Sequence, residues 1–328
     1  MKILLTLDYE LFLGDKTGTV DKCLVQPMKL LLQQIEGLDV KFTIFVDAAY
    51  LFRLKELSVN NPSLSADYNI LKVELKDLVN MGHDIQLHIH PQWYYSSFGR
   101  NQWTLDQKHY KLTDIPKLQM DVWFKKSKDL LDEIVGYKTK AFRAGGFSAQ
   151  PFKDIKPFFE TNSILMDSSA CPGTSYNSCH QKYDYTKCPF KSLYTFEEDI
   201  VSEQKDGRFT EVPITMYPVS PFFYWHLVLT RLLKNKKHVK LGDGETVRTV
   251  SGSIIERLTK SGLSLSTIDG LKISYLYNSL VRAKKRGNTI FCVIGHPKLA
   301  TTYSIQEFGR FCRKAISMGY EFTTISKL

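Results

Sequence analysis

The 328-residue sequence lacks the signature motifs of several common protein classes. It contains no GxGxxG or P-loop pattern, which removes the main support for a nucleotide-binding open sheet. Its cysteines show no CxxC spacing, so a structural zinc site of the usual type is not indicated. No internal repeat and no low-complexity stretch is visible. With 43% hydrophobic residues, the chain is predicted to fold as one globular domain over residues 1–328.

Long apolar runs are also missing. The longest apolar stretch after the first strand, residues 217–229, is shorter than the roughly 18 residues expected of a membrane-spanning helix. Residues 1–7 are apolar but meet Asp8 too early for the core of a signal peptide, so they are predicted to form a buried strand. The six cysteines, without such a signal, are interpreted as reduced thiols. We therefore expect a cytoplasmic protein.

A net charge of +10 indicates acidic surroundings without identifying them. The densest basic runs, 231–240 and 282–286, are not interleaved with aromatic residues, so no nucleic-acid partner is expected. The first run follows four aromatic residues at 222–225. Such a composition is typical of a segment that lies on a membrane surface, here the inner face. Residues 217–240 are interpreted either in this way or as an insertion that packs on the fold or on a second subunit.

Short apolar runs alternate with amphipathic stretches along the chain. The runs predict buried strands at 2–7, 41–46, 84–89, 139–142, 163–166 and 289–294. The stretches predict helices, whole or partial, at 25–35, 69–81, 118–134, 154–160 and 268–285. This alternation is typical of parallel strands joined by crossover helices. Residues 93–117 and about 173–265 do not follow the rhythm and are predicted to be insertions over the C-terminal strand ends.

Polar side chains with catalytic or metal-binding chemistry stand at or just after the ends of predicted strands. They are Asp8, Glu10, Asp47, His88, His90, Arg143, Asp167 and His296. In a (β/α) barrel this end of the strands is the catalytic face. The distribution therefore favours an α/β barrel over an open sheet.

Two pairs of residues at i,i+2 spacing, Asp8 with Glu10 and His88 with His90, predict a metal site. Successive side chains on a strand alternate faces, so each pair presents two metal-binding groups in one direction. Imidazole and carboxylate together suit zinc or a related divalent metal. We expect one ion bound by Glu10, His88 and His90, with Asp8 close to it, although the residues alone leave open which carboxylate is the main ligand. The alternative for each pair is a solvated strand end.

The order of these motifs resembles that of the polysaccharide deacetylases of carbohydrate esterase family four, which include chitin and peptidoglycan deacetylases. The similar segments are 6–10 (TLDYE), 42–46 (FTIFV), 82–91 (GHDIQLHIHP), 142–147 (FRAGGF), 165–169 (LMDSS) and 293–297 (VIGHP). The resemblance implies a deformed, usually seven-stranded (β/α) barrel. The chain departs from the family pattern in three places: DxE replaces adjacent aspartates, HxH replaces histidines four residues apart, and Ala-Gly-Gly follows the arginine where proline is usual.

The resemblance and the chemistry of the residues imply the same catalytic roles. Asp8 would accept a proton from water, and Arg143 would keep that carboxylate ionised and oriented. His296 would protonate the leaving amine, and Asp167 is expected to hold His296 in its charged form. Each residue has a plainer alternative: Arg143 could pair with a surface carboxylate, Asp167 could cap a helix, and His296 could be an ordinary strand-end residue.

The sequence therefore predicts a metal-dependent hydrolase that removes an N-acetyl or similar small acyl group from an amino sugar, with zinc as the first metal to consider. Because no secretion signal is visible, a nucleotide- or lipid-linked sugar of glycan biosynthesis is expected rather than a wall polymer. One alternative is a glycoside hydrolase that uses the carboxylates on a similar barrel. Another is a catalytically silent barrel that binds glycan.

Overall fold

The computed structural model describes residues 1–178, 181–233, 235–247 and 258–328. Its α-helices are α1 (Gln26–Gln34), α2 (Ala48–Ser58), α3 (Pro62–Asn80), α4 (Lys117–Val135), α5 (Phe152–Asn162), α6 (Pro221–Leu232), α7 (Leu276–Lys285) and α8 (Thr302–Ser317). Its strands are β1 (Lys2–Tyr9), β2 (Thr43–Asp47), β3 (Asp84–Ile89), β4 (Ser97–Gly99), β5 (Gln102–Thr104), β6 (Ala141–Ala144), β7 (Met166–Asp167), β8 (Ser175–Asn177), β9 (Lys182–Asp184), β10 (Tyr194–Phe196), β11 (Phe209–Glu211), β12 (Met216–Val219), β13 (Gly262–Leu265), β14 (Ile290–Val293) and β15 (Glu321–Thr323).

A curled, mainly parallel sheet forms the centre of the molecule. Its strands follow the order β10-β11-β7-β6-β3-β2-β1-β14, and β15 also pairs with β1. Every pairing is parallel except that of β10 with β11. Strands β1, β2 and β3 are buried almost throughout, as is usual when both faces of a parallel sheet are covered. The predicted α/β fold with crossover helices is confirmed.

The chain after β11 bridges β7 and β14, which lie far apart in the strand order of the curled sheet. Val212 N–H donates to the Asp167 carbonyl at 2.8 Å, beside β7. Three residues later, Thr215 N–H donates to the Cys292 carbonyl at 3.0 Å, within β14. The described ranges give nine strands in this sheet. The number differs from the seven implied by the family resemblance, because six longer or central strands (β1, β2, β3, β6, β7 and β14) are joined by the short strands β10, β11 and β15.

The two predicted insertions have different structures. Residues 93–117 include the β4–β5 hairpin, and Trp93 packs against Trp103 with ring centres 5.2 Å apart. Residues 173–265 include the β8–β9 hairpin and the β12–β13 pair, but they also supply β10 and β11 to the main sheet. Part of this second segment is therefore core rather than covering.

Among the helices of the described ranges, none has the length and apolar character needed to cross a bilayer.

Strands β7 and β11 bring two buried carboxyl groups together. Asp167 and Glu211 are partners in the strand register, and both are 0% exposed. Asp167 accepts hydrogen bonds from Ser169 N–H at 2.8 Å and from Ser169 Oγ at 3.0 Å, while Glu211 Oε1 accepts one from Ala170 N–H at 3.0 Å. Burial raises the pKa of Asp167 to about 6, and burial together with the Asp167 charge raises the pKa of Glu211 well above its usual value. Burial and mutual repulsion therefore favour a form in which the pair shares one proton.

We predict that Glu211→Gln increases the free energy of unfolding more at pH 8 than at pH 5. A carboxyl whose pKa is raised by folding stabilises the fold at low pH and loses that contribution as pH rises from the unfolded value toward the folded one. Glutamine does not ionise in the unfolded chain, so the variant avoids this loss. Urea unfolding at the two pH values measures it, with the exposed Glu36→Gln as control. An equal effect of Glu211→Gln at both pH values would contradict the shared-proton account.

Candidate metal centre and catalytic site

The C-terminal ends of four neighbouring strands form the site. Asp47 on β2 is in register with His88 on β3, and His88 is in register with Arg143 on β6. Asp8 lies near the end of β1, on the other side of β2. Strands β1 and β3 are not direct neighbours, but the curvature of the sheet brings their side chains into contact. The two i,i+2 pairs therefore come together as expected, through the contacts of Glu10 with His88 and His90.

Glu10, His88 and His90 form a compact buried cluster. Glu10 Oε2 lies 2.5 Å from His90 Nε2 and 3.3 Å from His88 Nε2. One possible ligand atom from each of these three residues lies within 4.8 Å of the others. Among the described residues, this is the one cluster of three or more His, Cys, Asp or Glu side chains with such spacing. A carboxylate with two imidazoles is a usual set of protein ligands at catalytic zinc sites.

The surroundings of His88 show that this cluster fits a divalent metal. His88 Nδ1 contacts the Arg143 carbonyl at 2.7 Å. A proton on Nδ1 is donated there, so Nε2 keeps its lone pair for a ligand bond, as is common for metal-binding histidines. Burial acts to lower the pKa of His88, but the Glu10 and Asp8 carboxylates outweigh it and raise the pKa to about 9. The cluster therefore favours an added positive charge, which a proton or a divalent cation can supply.

Asp47 lies beside the two histidines of the cluster. Its Oδ1 accepts hydrogen bonds from His90 N–H at 3.2 Å and from Tyr50 N–H at 3.4 Å, the latter at the start of α2. Its Oδ2 is buried and has no hydrogen-bond partner in the structure. Burial raises the pKa of Asp47, although the nearby histidines oppose the rise. Asp47 thus places a buried carboxyl group beside the proposed metal position.

Arg143 holds Asp8. Arg143 Nη1 donates to Asp8 Oδ1 at 2.6 Å and to Thr6 Oγ1 at 2.9 Å. Arg143 Nε and Nη2 donate to the carbonyl and hydroxyl of Ser168, and the guanidinium lies 4.2 Å from the centre of the Phe45 ring. Burial alone would raise the pKa of Asp8, but Arg143 and the two neighbouring histidines outweigh it and hold the pKa below its usual value. Asp8 is therefore ionised, as the sequence analysis expects, and Arg143 does not pair with a surface carboxylate.

His296 reaches the same cleft but has a partner other than the expected one. Asp269 Oδ2 lies 2.8 Å from His296 Nδ1, and Asp269 Oδ1 accepts a hydrogen bond from the backbone N–H of His296 at 2.8 Å. His296 Nε2 lies 3.7 Å from Asp8 Oδ2 and 3.8 Å from Glu10 Oε1. Burial acts to lower the pKa of His296, but Asp269 outweighs it and the pKa is raised. The expected pairing of Asp167 with His296 is wrong, because Asp167 is occupied by Ser169 and Glu211.

The site also contains two charged residues, Asp269 and Lys298, that the motifs and strand patterns do not predict. Asp269 immediately precedes the short 3₁₀ helix Gly270–Tyr275, and the predicted helix over 268–285 gives it no role beyond a place near a helix start. Lys298 lies two residues after His296, and its ammonium group donates to Glu10 Oε1 at 2.9 Å. The i,i+2 rule finds neighbours on one strand, whereas Lys298 lies in the short helical turn Pro297–Leu299 and reaches the site through a long side chain.

Close packing explains why a glycine stands at position 145, two residues after Arg143. A Cβ on Gly145 would lie 2.6 Å from His90 Nδ1 and 2.6 Å from the Ile89 carbonyl, closer than real Cβ contacts. Any larger residue would displace the ring of His90 or the end of β3. The Ala-Gly-Gly sequence, where the family usually has proline after the arginine, therefore lets this turn approach the second histidine.

No protein-family model and no curated protein sequence matches the chain. Among solved structures it is similar to the Puue allantoinase, with 11% identity over 99% of this chain and 88% of that one and a TM-score of 0.50. It is also similar to a GH57 branching enzyme from Thermococcus kodakaraensis, with 12% identity over 100% and 70% of the two chains and a TM-score of 0.50. At such identities the likeness concerns the fold.

The structures that the chain resembles also include a peptidoglycan N-acetylglucosamine deacetylase, with 12% identity over 99% of this chain and 86% of that one and a TM-score of 0.43. A family 4 carbohydrate esterase from Streptomyces lividans is also among these structures, with 11% identity over 99% of this chain and 92% of that one and a TM-score of 0.41.

Proposed function

We propose that the protein is a divalent-metal-dependent hydrolase that removes an acetyl or similar small acyl group from the nitrogen of an amino sugar. The observation that carries the proposal is the arrangement of one cleft. An ionised Asp8, fixed by Arg143, adjoins the Glu10–His88–His90 cluster, and the imidazole of His296 faces both. Amide hydrolysis requires a base for water, stabilisation of an oxyanion and an acid for the amine, and this cleft supplies groups for each.

Glu10, His88 and His90 would hold the metal, for which zinc is the first candidate. A bound divalent ion polarises a carbonyl and lowers the pKa of water. Asp8 Oδ2 is the base, because Oδ1 is engaged by Arg143. His296 Nε2 donates the proton to the leaving nitrogen, while Asp269 holds the opposite ring nitrogen and supports the charged form. Arg143 keeps Asp8 in its acceptor form.

The sugar part of the proposal is supported by the six motif segments that resemble the polysaccharide deacetylases. A cytoplasmic enzyme of glycan biosynthesis would act on a nucleotide- or lipid-linked amino sugar, and we include this carrier in the proposal. A glycoside hydrolase on this barrel would instead release sugars with new reducing ends. A catalytically silent glycan-binding barrel would release neither acetate nor reducing ends.

The zinc-loaded protein should release acetate from N-acetylated amino sugars. Asp8→Asn should lower kcat by about 10²–10⁴-fold while keeping bound zinc, because it removes a base rather than a ligand. Glu10→Gln should lose both zinc and activity. Activity is measured as acetate release and zinc content by elemental analysis, on the same samples. A substrate panel that includes nucleotide-linked sugars identifies the carrier. Asp8→Asn that loses zinc while Glu10→Gln retains it would exchange the two roles, and reducing ends without acetate would favour the glycosidase.

The histidine acid predicts a change in the pH profile. Activity should fall on the alkaline side as His296 loses its proton, and His296→Ala should remove this limb with most of the rate. Asp269→Asn should move the limb to lower pH, because loss of the carboxylate lowers the pKa of His296. Profiles of kcat against pH for the three proteins measure the effect. An unmoved limb in Asp269→Asn would exclude His296 as the group that titrates.

We further propose that α6 lies on a membrane surface. Its exposed apolar side chains follow helical spacing on one face, namely Phe222, Trp225, Leu229, Leu232 and the adjoining Leu233. Exposed lysines follow at 236 and 237, and each near an anionic surface contributes about 1 kcal/mol. The Lys240 ammonium group is instead held by the Gly244 carbonyl over the Phe12 ring. Lys234 of the same basic run lies outside the described residues. A helix of this kind would bring the barrel mouth to a lipid-linked substrate.

Sedimentation with vesicles tests the membrane proposal. The protein should pellet with vesicles that contain phosphatidylserine, and salt should release it. Phe222→Ser with Leu232→Ser should weaken pelleting. The control is Val59→Ser with Leu118→Ser, which changes two apolar residues that are equally exposed on other helices or their ends. Absence of pelleting at low salt, or equal loss in both double variants, would contradict surface binding by α6.

A further inference from the structure

A buried lysine engages the second oxygen of Glu10. Lys298 is 6% exposed, and its Nζ donates to Glu10 Oε1 at 2.9 Å and to the Leu11 carbonyl at 2.7 Å. The other oxygen, Oε2, contacts His90 and His88 at 2.5 and 3.3 Å. The two oxygens of one carboxylate therefore have different nearest partners, the Lys298 ammonium group on Oε1 and the imidazoles of His88 and His90 on Oε2.

The surroundings of Lys298 fix the position of its ammonium group. A buried charge is stable only when a counter-charge and hydrogen-bond acceptors accompany it. Within the described ranges, Glu10 is the carboxylate at ion-pair distance from Lys298. The centre of the Phe12 ring lies 5.2 Å from Nζ, which adds a favourable cation–π contact. Lys298 therefore holds Oε1 in one place.

We propose that Lys298 is a positioning residue that restricts Glu10 to single-oxygen ligation of the metal; the inference rests on the metal centre proposed above. With Oε1 held by the ammonium group, Oε2 is the oxygen available to the ion. Two histidines and one carboxylate oxygen make three protein ligand atoms, the number that leaves a catalytic zinc site open to water or substrate. Without Lys298, Glu10 would be free to bind through both oxygens and to occupy the open position.

Cobalt(II) tests this inference because its visible absorption is stronger at lower coordination numbers. Lys298→Met removes the ammonium group but keeps an unbranched apolar stem beside Phe12. The variant should still bind one cobalt ion, with weaker visible absorption than the wild type. Its kcat on an N-acetyl sugar should fall by about 10–100-fold, the usual effect of losing a partner of a metal ligand. Lys298→Gln, which keeps a neutral donor, provides a second variant if the methionine protein does not fold.

The matched control is Lys128→Met. Lys128 is also buried and pairs with Asp132 at 2.7 Å, but both residues lie on α4 and the pair does not contact the metal cluster. Its replacement should lower the free energy of unfolding and leave the cobalt spectrum and kcat unchanged. A wild-type spectrum and wild-type kcat in Lys298→Met would overturn the positioning role. Failure of the wild-type protein to bind cobalt would overturn the proposed metal centre itself, so the two failures are distinguishable.

Discussion

The buried ion pair between Arg143 and Asp8 is the interaction on which the site depends. Arg143 crosses the interior of the barrel and satisfies its donors on β1 and on the residue after β7. Its backbone carbonyl also fixes the ring of His88. A fully buried guanidinium is tolerated only with such complete partnering. One residue therefore sets the ionisation of the proposed base and the orientation of a proposed metal ligand.

Charge is paired locally throughout the cleft. Arg143 neutralises Asp8, Lys298 neutralises Glu10, and Asp269 pairs with His296. Asp47 is the exception, because its Oδ2 has no hydrogen-bond partner among the described residues. The carboxyl groups of Glu10 and Asp47 both lie beside His88 and His90, where a divalent ion would be bound, and nearby carboxylates raise the pKa of His88. Electrostatics and ligand geometry thus indicate the same position.

The sequence predicted the parts of the fold that follow from local periodicity. Five of the six predicted strands correspond to β1, β2, β3, β6 and β14, because fully buried parallel strands are continuous apolar runs. The sixth, predicted at 163–166, overlaps the two-residue β7 only at Met166. Alternation along a strand also predicted that Glu10, His88 and His90 face one cleft. The three-residue strands β10 and β11 are too short for a periodic signal. Asp269 and Lys298 act through contacts distant in sequence, which no local pattern contains, so the wrong partner, Asp167, was assigned to His296.

The central claim is that one divalent metal lies between Glu10, His88 and His90, and anomalous diffraction at the zinc absorption edge tests it most directly. Crystals grown with zinc should show one strong anomalous peak in the cleft, about 2.0–2.1 Å from Nε2 of each histidine and about 2.0–2.2 Å from Glu10 Oε2. The Lys298 ammonium group should remain on Oε1. No peak at this position in crystals whose zinc content is stoichiometric, or a peak bound by other side chains, would contradict the account.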